Sequence, residues 1–181
     1  MKIGIDISQI AYQHSGVSRF TEELVRNLLK TDTRNSYVLF GSSLRNKKNL
    51  RKICQRFDDS NHRIKIKLFS FPQTLLDLLW NGLHIMPIEW LIGDVDIFIT
   101  SDWTEPPTIR AKKATILYDL IVYKYPEETA ERIVETQKRK LKWVKKESKI
   151  IFCISEATKK DAMEILEIEE KRLKVIYPGI K

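Results

Sequence analysis

The chain has 181 residues, 43% of them hydrophobic and 31% charged, with a formal net charge of +8. That length suits one domain with a sizeable hydrophobic core, and charges spread along the chain with ordinary apolar content exclude a disordered polyelectrolyte. Cys54 and Cys153 lie far apart without metal-ligand spacing, so no metal site and a reduced, cytoplasmic setting are expected.

The N-terminus, Met1-Lys2-Ile3-Gly4-Ile5-Asp6-Ile7, is too short and too interrupted for a signal peptide. No stretch approaches the roughly 20 apolar residues of a membrane-spanning helix. Residues 3–7 read as a short apolar strand, 8–16 as a loop, and 17–30 as a helix. Phe20, Leu24 and Leu28, with Val25 and Leu29 beside them, give that helix one apolar face. A second strand is expected at 37–40, closed by Gly41-Ser42-Ser43, then a weaker basic helix over 44–57. The alternation in Ile64-Lys65-Ile66-Lys67-Leu68-Phe69 fits a half-exposed strand.

Residues 74–92 are helical in pattern, and Pro87 should split them in two. Strands follow at 96–100 and 114–118, then a long helix over 127–149 with Ile133, Val134, Leu141 and Val144 on its core face. Residues 150–154 form an apolar strand holding Cys153, read as a buried core thiol. A helix over 156–166 and a last strand over 172–176 close the series, and Pro178-Gly179 breaks it. Strand and helix alternate, which predicts an α/β fold with a mainly parallel sheet covered on both faces.

Basic residues concentrate at 45–67 and 138–149. Zinc-finger spacing, a compact helix-turn-helix and the aromatic signature of RNA-binding sheets are all missing, so nucleic acid is not an expected partner. A solvated surface or an anionic membrane surface remains for each cluster. Trp143 stands among the lysines of the second cluster, as the aromatic of an amphipathic basic surface, and Trp80 and Trp90 either add apolar contact to such a face or belong to the core.

Open sheets of this kind bind ligands beyond the carboxyl ends of their strands. Those positions hold His14, Ser15, Gly16, Val17, Ser18 and Arg19 after the first strand. Asp102 and Trp103 follow the strand at 96–100, Asp119 follows Tyr118, and Ser155 and Glu156 follow Ile154. Gly16 opens a helix, where free amides and the dipole favour an anion, although one glycine is no dinucleotide fingerprint. Ser155 is a natural N-cap. The pairs Glu127/Glu135 and Glu156/Glu164, each eight positions apart, read as solvated helix faces.

The motifs Gly16-Val17-Ser18-Arg19-Phe20, Leu79-Trp80, Asp94-Val95-Asp96, Pro106-Pro107, Asp119-Leu120, Tyr125-Pro126-Glu127, Ile154-Ser155-Glu156 and Val175-Ile176-Tyr177-Pro178-Gly179 occur in an order that resembles the N-terminal half of a family 4 (group 1) glycosyltransferase. The resemblance covers essentially the whole chain. It implies a Rossmann-like three-layer domain, one half of a GT-B arrangement in which two such domains face a cleft. It also implies retaining transfer of a sugar from a nucleotide-sugar (a UDP- or GDP-sugar), without a metal or other cofactor, to a glycan or lipid-linked acceptor.

In this family the N-terminal domain binds the acceptor, and a C-terminal domain, expected to be missing from this chain, holds the donor. By resemblance Tyr118 and Asp119 stand at the catalytic His-Asp position, and the stretch from Gly16 to Arg19 forms the loop facing the donor phosphates. His14, Asp102, Trp103, Ser155 and Glu156 then line the acceptor side. Two departures stand out: tyrosine replaces the histidine at 118, and Ser18 replaces a second glycine. The chain alone is expected to be inactive. The alternative is a non-catalytic partner that docks on a separately encoded donor domain or on the inner face of a membrane.

Overall fold

A computed structural model describes residues 1–12, 15–57, 63–100 and 102–179. Seven strands form one sheet: β1 (Lys2–Asp6), β2 (Ser36–Ser42), β3 (Ile64–Phe69), β4 (Ile97–Thr100), β5 (Lys112–Leu117), β6 (Ile150–Cys153) and β7 (Leu173–Val175). Their order is β3-β2-β1-β4-β5-β6-β7, and every pairing is parallel. This is the Rossmann-like α/β architecture that the alternation of apolar runs predicts.

Parallel strands are joined by crossovers, which bury both sheet faces, and successive side chains point to opposite sides. On one face α1 (Gly16–Thr31) and α2 (Lys47–Cys54) bring Val25, Leu50 and Ile53 onto Ile5, Ile7, Tyr37 and Leu39. The opposite face carries Val38, Phe40 and Phe98 under a segment that begins as α3 (Gln73–Leu76), widens into a π turn (Asp77–Gly82) and ends as α4 (Glu89–Ile92). Trp80 of the π turn is fully buried there, its ring tilted against Phe40 at 5.6 Å between centroids. A β-carbon on Gly4 would fall 2.6 Å from the Phe98 ring, so β1 needs glycine at that point for this layer to close.

Beyond β5 the chain adds a short helix, α5 (Ile121–Lys124), then α6 (Glu131–Glu147) and α7 (Glu156–Glu164). Val134, Leu141 and Val144 of α6 and Ala162 of α7 pack with Leu117, Ile151, Cys153 and Leu173. Both cysteines are buried and unbridged, and burial pushes each thiol up to about 11, so neither is reactive at neutral pH. No helix among the described residues is long and apolar enough to cross a membrane.

Four local departures from the sequence reading have physical causes. Helicity in 74–92 fails well before Pro87: Leu83 N–H bonds Leu78 C=O, a π-type closure, and His84 (φ 53°) and Met86 (φ 65°) then turn left-handed. The long helix starts at Glu131 because Pro126–Glu128 makes a separate 3-10 turn and Ala130 is extended. Residues 8–16 are not all loop, since Ser8–Ala11 forms a 3-10 turn. Finally, Glu89 is buried on α4, where one carboxylate oxygen accepts the backbone N–H groups of Ile109, Arg110 and Ala111 at 2.8, 3.1 and 3.1 Å, fixing the approach to β5.

Candidate functional site

Strand order reverses at β1, which pairs with β2 on one side and β4 on the other. The loops leaving β1 and β4 therefore diverge to opposite faces, and the crevice between them is where such sheets bind ligands. A cavity of about 450 Å³ occupies that crevice. Gln9, Tyr12, Ser15 and Val17 approach it from the β1 side, and Asp102 and Trp103 from the β4 side. Gln73, Thr74 and Asp77 of the α3 segment and Arg132, Ile133 and Thr136 of α6 complete the wall.

The floor is built from charge. Asp6, at the end of β1, is buried, and its carboxylate accepts the Ser8 N–H at 2.9 Å and hydrogen-bonds the Gln9 side chain. Burial raises the Asp6 pKa above 3.8. With its amide N–H committed to Asp6, Gln9 presents a carbonyl oxygen that is buried and has no hydrogen-bond partner among the described residues. A buried acceptor left unsatisfied is destabilising, by about 1–3 kcal/mol, unless something else supplies a donor. Gln9 lines the cavity, so a ligand in the cavity can supply it.

Lys140 of α6 is only 2% exposed. Burial lowers its pKa, against the opposing pull of Glu105, Asp102 and Asp6. Asp102 is held above 3.8 by burial and by the nearby Asp119, while Lys140 and a hydrogen bond with Gln137 act the other way. The loop carrying Asp102 and Trp103 is fixed from behind. Asn81 of the π turn donates to the Trp103 carbonyl at 2.9 Å and accepts the Glu105 N–H at 2.9 Å. Glu105, fully buried, is 3.1 Å from Lys113 Nζ and accepts the hydroxyls of Thr100 (2.5 Å) and Ser148 (3.2 Å).

The candidate residues read from the sequence fall into three groups. Val17, Asp102 and Trp103 line the cavity. Gly16 and Arg19 line a neighbouring groove of about 700 Å³, between α1 and the segment Ile176, Tyr177, Pro178 and Gly179. Ser18 is buried, its N–H capped by the Ser15 hydroxyl at 3.0 Å. A β-carbon on Gly16 would meet nothing within 4 Å, so the packing of the chain does not demand glycine there. The third group stands apart from the cavity lining. Tyr118 is half-buried, its ring edge-on to Phe20 and its hydroxyl 3.3 Å from Thr21 Oγ1. Asp119 is exposed and accepts the Ile121 N–H. Ser155 caps α7 through the Thr158 N–H, and Glu156 is exposed. His14 lies outside the described residues.

Two further readings change. Ile133 is not a core residue but a partly exposed part of the cavity wall, and Lys140 is not a surface lysine. Glu127, Glu135, Glu156 and Glu164 are all exposed. Among the described residues no cluster of three or more His, Cys, Asp or Glu side chains is placed to hold a metal ion. Gln9, Gln73, Thr74, Asp77, Arg132, Ile133 and Thr136 are among the cavity residues that strand-end reasoning passes over. Neither the known protein families nor the curated proteins compared with this chain match it.

Proposed function

We propose that this chain is the acceptor-binding half of a retaining glycosyltransferase, which transfers a sugar from a UDP- or GDP-sugar to a glycan or lipid-linked acceptor. The observation that carries the proposal is the unpaired Gln9 carbonyl in the switch-point cavity, beside the Asp102 carboxyl and the Trp103 ring. A sugar is rich in hydroxyl donors and has apolar C–H faces. Gln9 and Asp102 offer acceptors to the first, and Trp103 and Tyr12 offer rings to the second. Arg132 and Gln73 add donors at the wall. Preformed cavities with a few convergent polar groups are the usual form of small-ligand sites.

The donor side is assigned to a second domain across the carboxyl edge of the sheet. Gly16, the amides opening α1 and Arg19 face outward at that edge, where a diphosphate would meet a helix dipole and a cation. Tyr118 meets α1 at Phe20 and Thr21, and Asp119 is close enough to Asp102 to raise its pKa. Transfer needs donor and acceptor held together in near-attack geometry, which one domain alone cannot provide.

The test is calorimetry and turnover with residues 1–181. Neutral mono- and oligosaccharides should bind weakly, and Gln9→Leu should remove that binding while circular dichroism shows the fold retained, although the loss of the amide donor to Asp6 lowers stability somewhat. Nucleotide-sugars should bind negligibly and no transfer should occur. Tight nucleotide-sugar binding or turnover by this chain alone would overturn the half-enzyme reading. Sugar binding indifferent to Gln9→Leu, or absent altogether, would overturn the acceptor cavity.

A further inference from the structure

The segment that walls the cavity also turns an apolar edge to solvent. Leu75 and Leu78 follow the cavity residues Thr74 and Asp77 by one position, about a quarter turn round the helix. Both are exposed, Leu78 by 54%. The π closure from Leu83 N–H to Leu78 C=O sets Leu83, 58% exposed, over Leu78, and Ile85 follows at 50%. Among the described residues, none of the core clusters includes these four side chains.

What borders them is positive. His84, between Leu83 and Ile85, stacks on Trp143 of α6 at 3.5 Å between ring centroids, and the Trp143 indole donates to Asn81 C=O at 2.8 Å. Lys142 and Lys146 lie over the same indole at 5.4 and 5.0 Å. Along α6 there are seven Lys or Arg residues against three Glu. Of the acids, Glu147 is already taken by Lys113 and His84, and Glu135 by Arg139. The result is an exposed leucine and isoleucine ridge joined through a tryptophan to lysines that enter no ion pair among the described residues.

An apolar ridge rimmed by lysine and tryptophan matches one kind of surface, the headgroup region of an anionic bilayer, which attracts the cations and accepts the apolar side chains. We infer that this face, Leu75, Leu78, Leu83 and Ile85 with Trp143, Lys142 and Lys146, docks on an anionic lipid bilayer. Resting on the acceptor reading above, it follows that the acceptor enters the cavity as a lipid-linked sugar, because Leu75 and Leu78 of the docked ridge directly follow the cavity residues Thr74 and Asp77.

Sedimentation with vesicles of mixed phosphatidylglycerol and phosphatidylcholine tests the face without any activity. The protein should bind at about 0.05 M salt and be released at about 0.5 M, and should leave pure phosphatidylcholine vesicles unbound. The double substitution Lys142→Ala/Lys146→Ala should weaken partitioning roughly 30-fold. Leu83→Glu should weaken it roughly tenfold or more, with an unchanged melting curve because the side chain is exposed. Failure to sediment at low salt, equal binding to neutral vesicles, or wild-type binding by either variant would overturn the docking face. So would a concentration-dependent dimer that Leu83→Glu dissolves, which would make the ridge a contact between copies. Sugar binding in solution separates the two readings. Vesicle binding without sugar binding removes the acceptor cavity and keeps the face, and the converse removes the face and keeps the cavity.

Discussion

Substitution of Lys113 by methionine probes the buried charge network that holds the Asp102–Trp103 loop in place. Lys113 Nζ lies 3.1 Å from Glu105 and 2.8 Å from Glu147; the Lys113 and Glu105 side chains are 2% and 0% exposed, and that of Glu147 is 27% exposed. Methionine preserves the packing volume but leaves Glu105 with only the Thr100 and Ser148 hydroxyls and the field of Lys140. Breaking a buried pair by removing one partner is destabilising by about 3–5 kcal/mol. The two hydroxyl bonds and Lys140 place this case near the lower bound, at about 3 kcal/mol. A domain of this size is stable by about 5–15 kcal/mol and shifts its Tm by about 2–4 °C per kcal/mol, so a fall of roughly 6–12 °C is expected. Urea unfolding followed by circular dichroism measures it. The double variant Glu105→Gln/Lys113→Met should recover more than half of the loss, since it removes the stranded charge. A loss under about 1 kcal/mol in the single variant, or additive losses in the double, would refute the account of Glu105 as a carboxylate held by Lys113.

The raised pKa values of Asp6 and Asp102 mean that the stability each contributes is complete below 3.8 and is lost as pH rises through its folded pKa. Asp102→Asn should therefore gain on the wild type as pH rises from acid toward neutral, and carboxyl NMR should show Asp102 titrating above 3.8; a titration below that value refutes the desolvated site. Glu89→Gln keeps the shape but loses the charge that assists three backbone bonds, so about 1–2 kcal/mol of stability should go and the Ile109, Arg110 and Ala111 amides should exchange faster; unchanged exchange would refute the role. Tyr118→Phe removes the long hydroxyl contact to Thr21, a bond that contributes less than about 1 kcal/mol to stability. In an enzyme completed by its donor domain it should nonetheless slow transfer, and equal rates would place Tyr118 outside the chemistry.

Much of the fold is legible because most strands are apolar runs ended by a polar or Gly/Pro residue, the edge strand β3 alternates, and each long helix shows one apolar stripe. What escapes the pattern has a local cause. The π turn at Asp77–Gly82 shares its composition with an α-helix and differs only in hydrogen bonding, which no spacing of leucines records. The helix Ile121–Lys124 is barely one turn, too short for a 3.6-residue period to repeat. Asp102 and Trp103 are found because they follow a strand at the switch point. Gln9 also follows a strand, yet in Ile7-Ser8-Gln9-Ile10 it looks like any polar loop residue. Its unpaired carbonyl exists only because Asp6 holds the other end of the amide.

Helix α6 shows why the rest of the site stays hidden. Its sequence reads as a run of lysines closing a surface helix, and counting charge places them all in solvent. Position four before Val144 and four after Thr136 is Lys140, so the helical period alone sets it on the inner face between a core residue and a cavity residue. Arg139 turns instead to Asp77 at 2.7 Å, tying the helix to the π turn, and Lys145 pairs with Glu167. One helix therefore supplies a buried cation beneath the cavity, a wall of Arg132 and Thr136 beside it, and a solvent-facing pair, Lys142 and Lys146, flanking Trp143. Net charge cannot separate these roles. The angular position of each lysine can: it takes Lys140 out of the exposed surface, while Arg139 and Lys145 are engaged in ion pairs, and it leaves Lys142 and Lys146 at the indole with Lys138 and Lys149 exposed elsewhere on the cluster, so that burial of apolar side chains and attraction to anionic headgroups act together around Trp143.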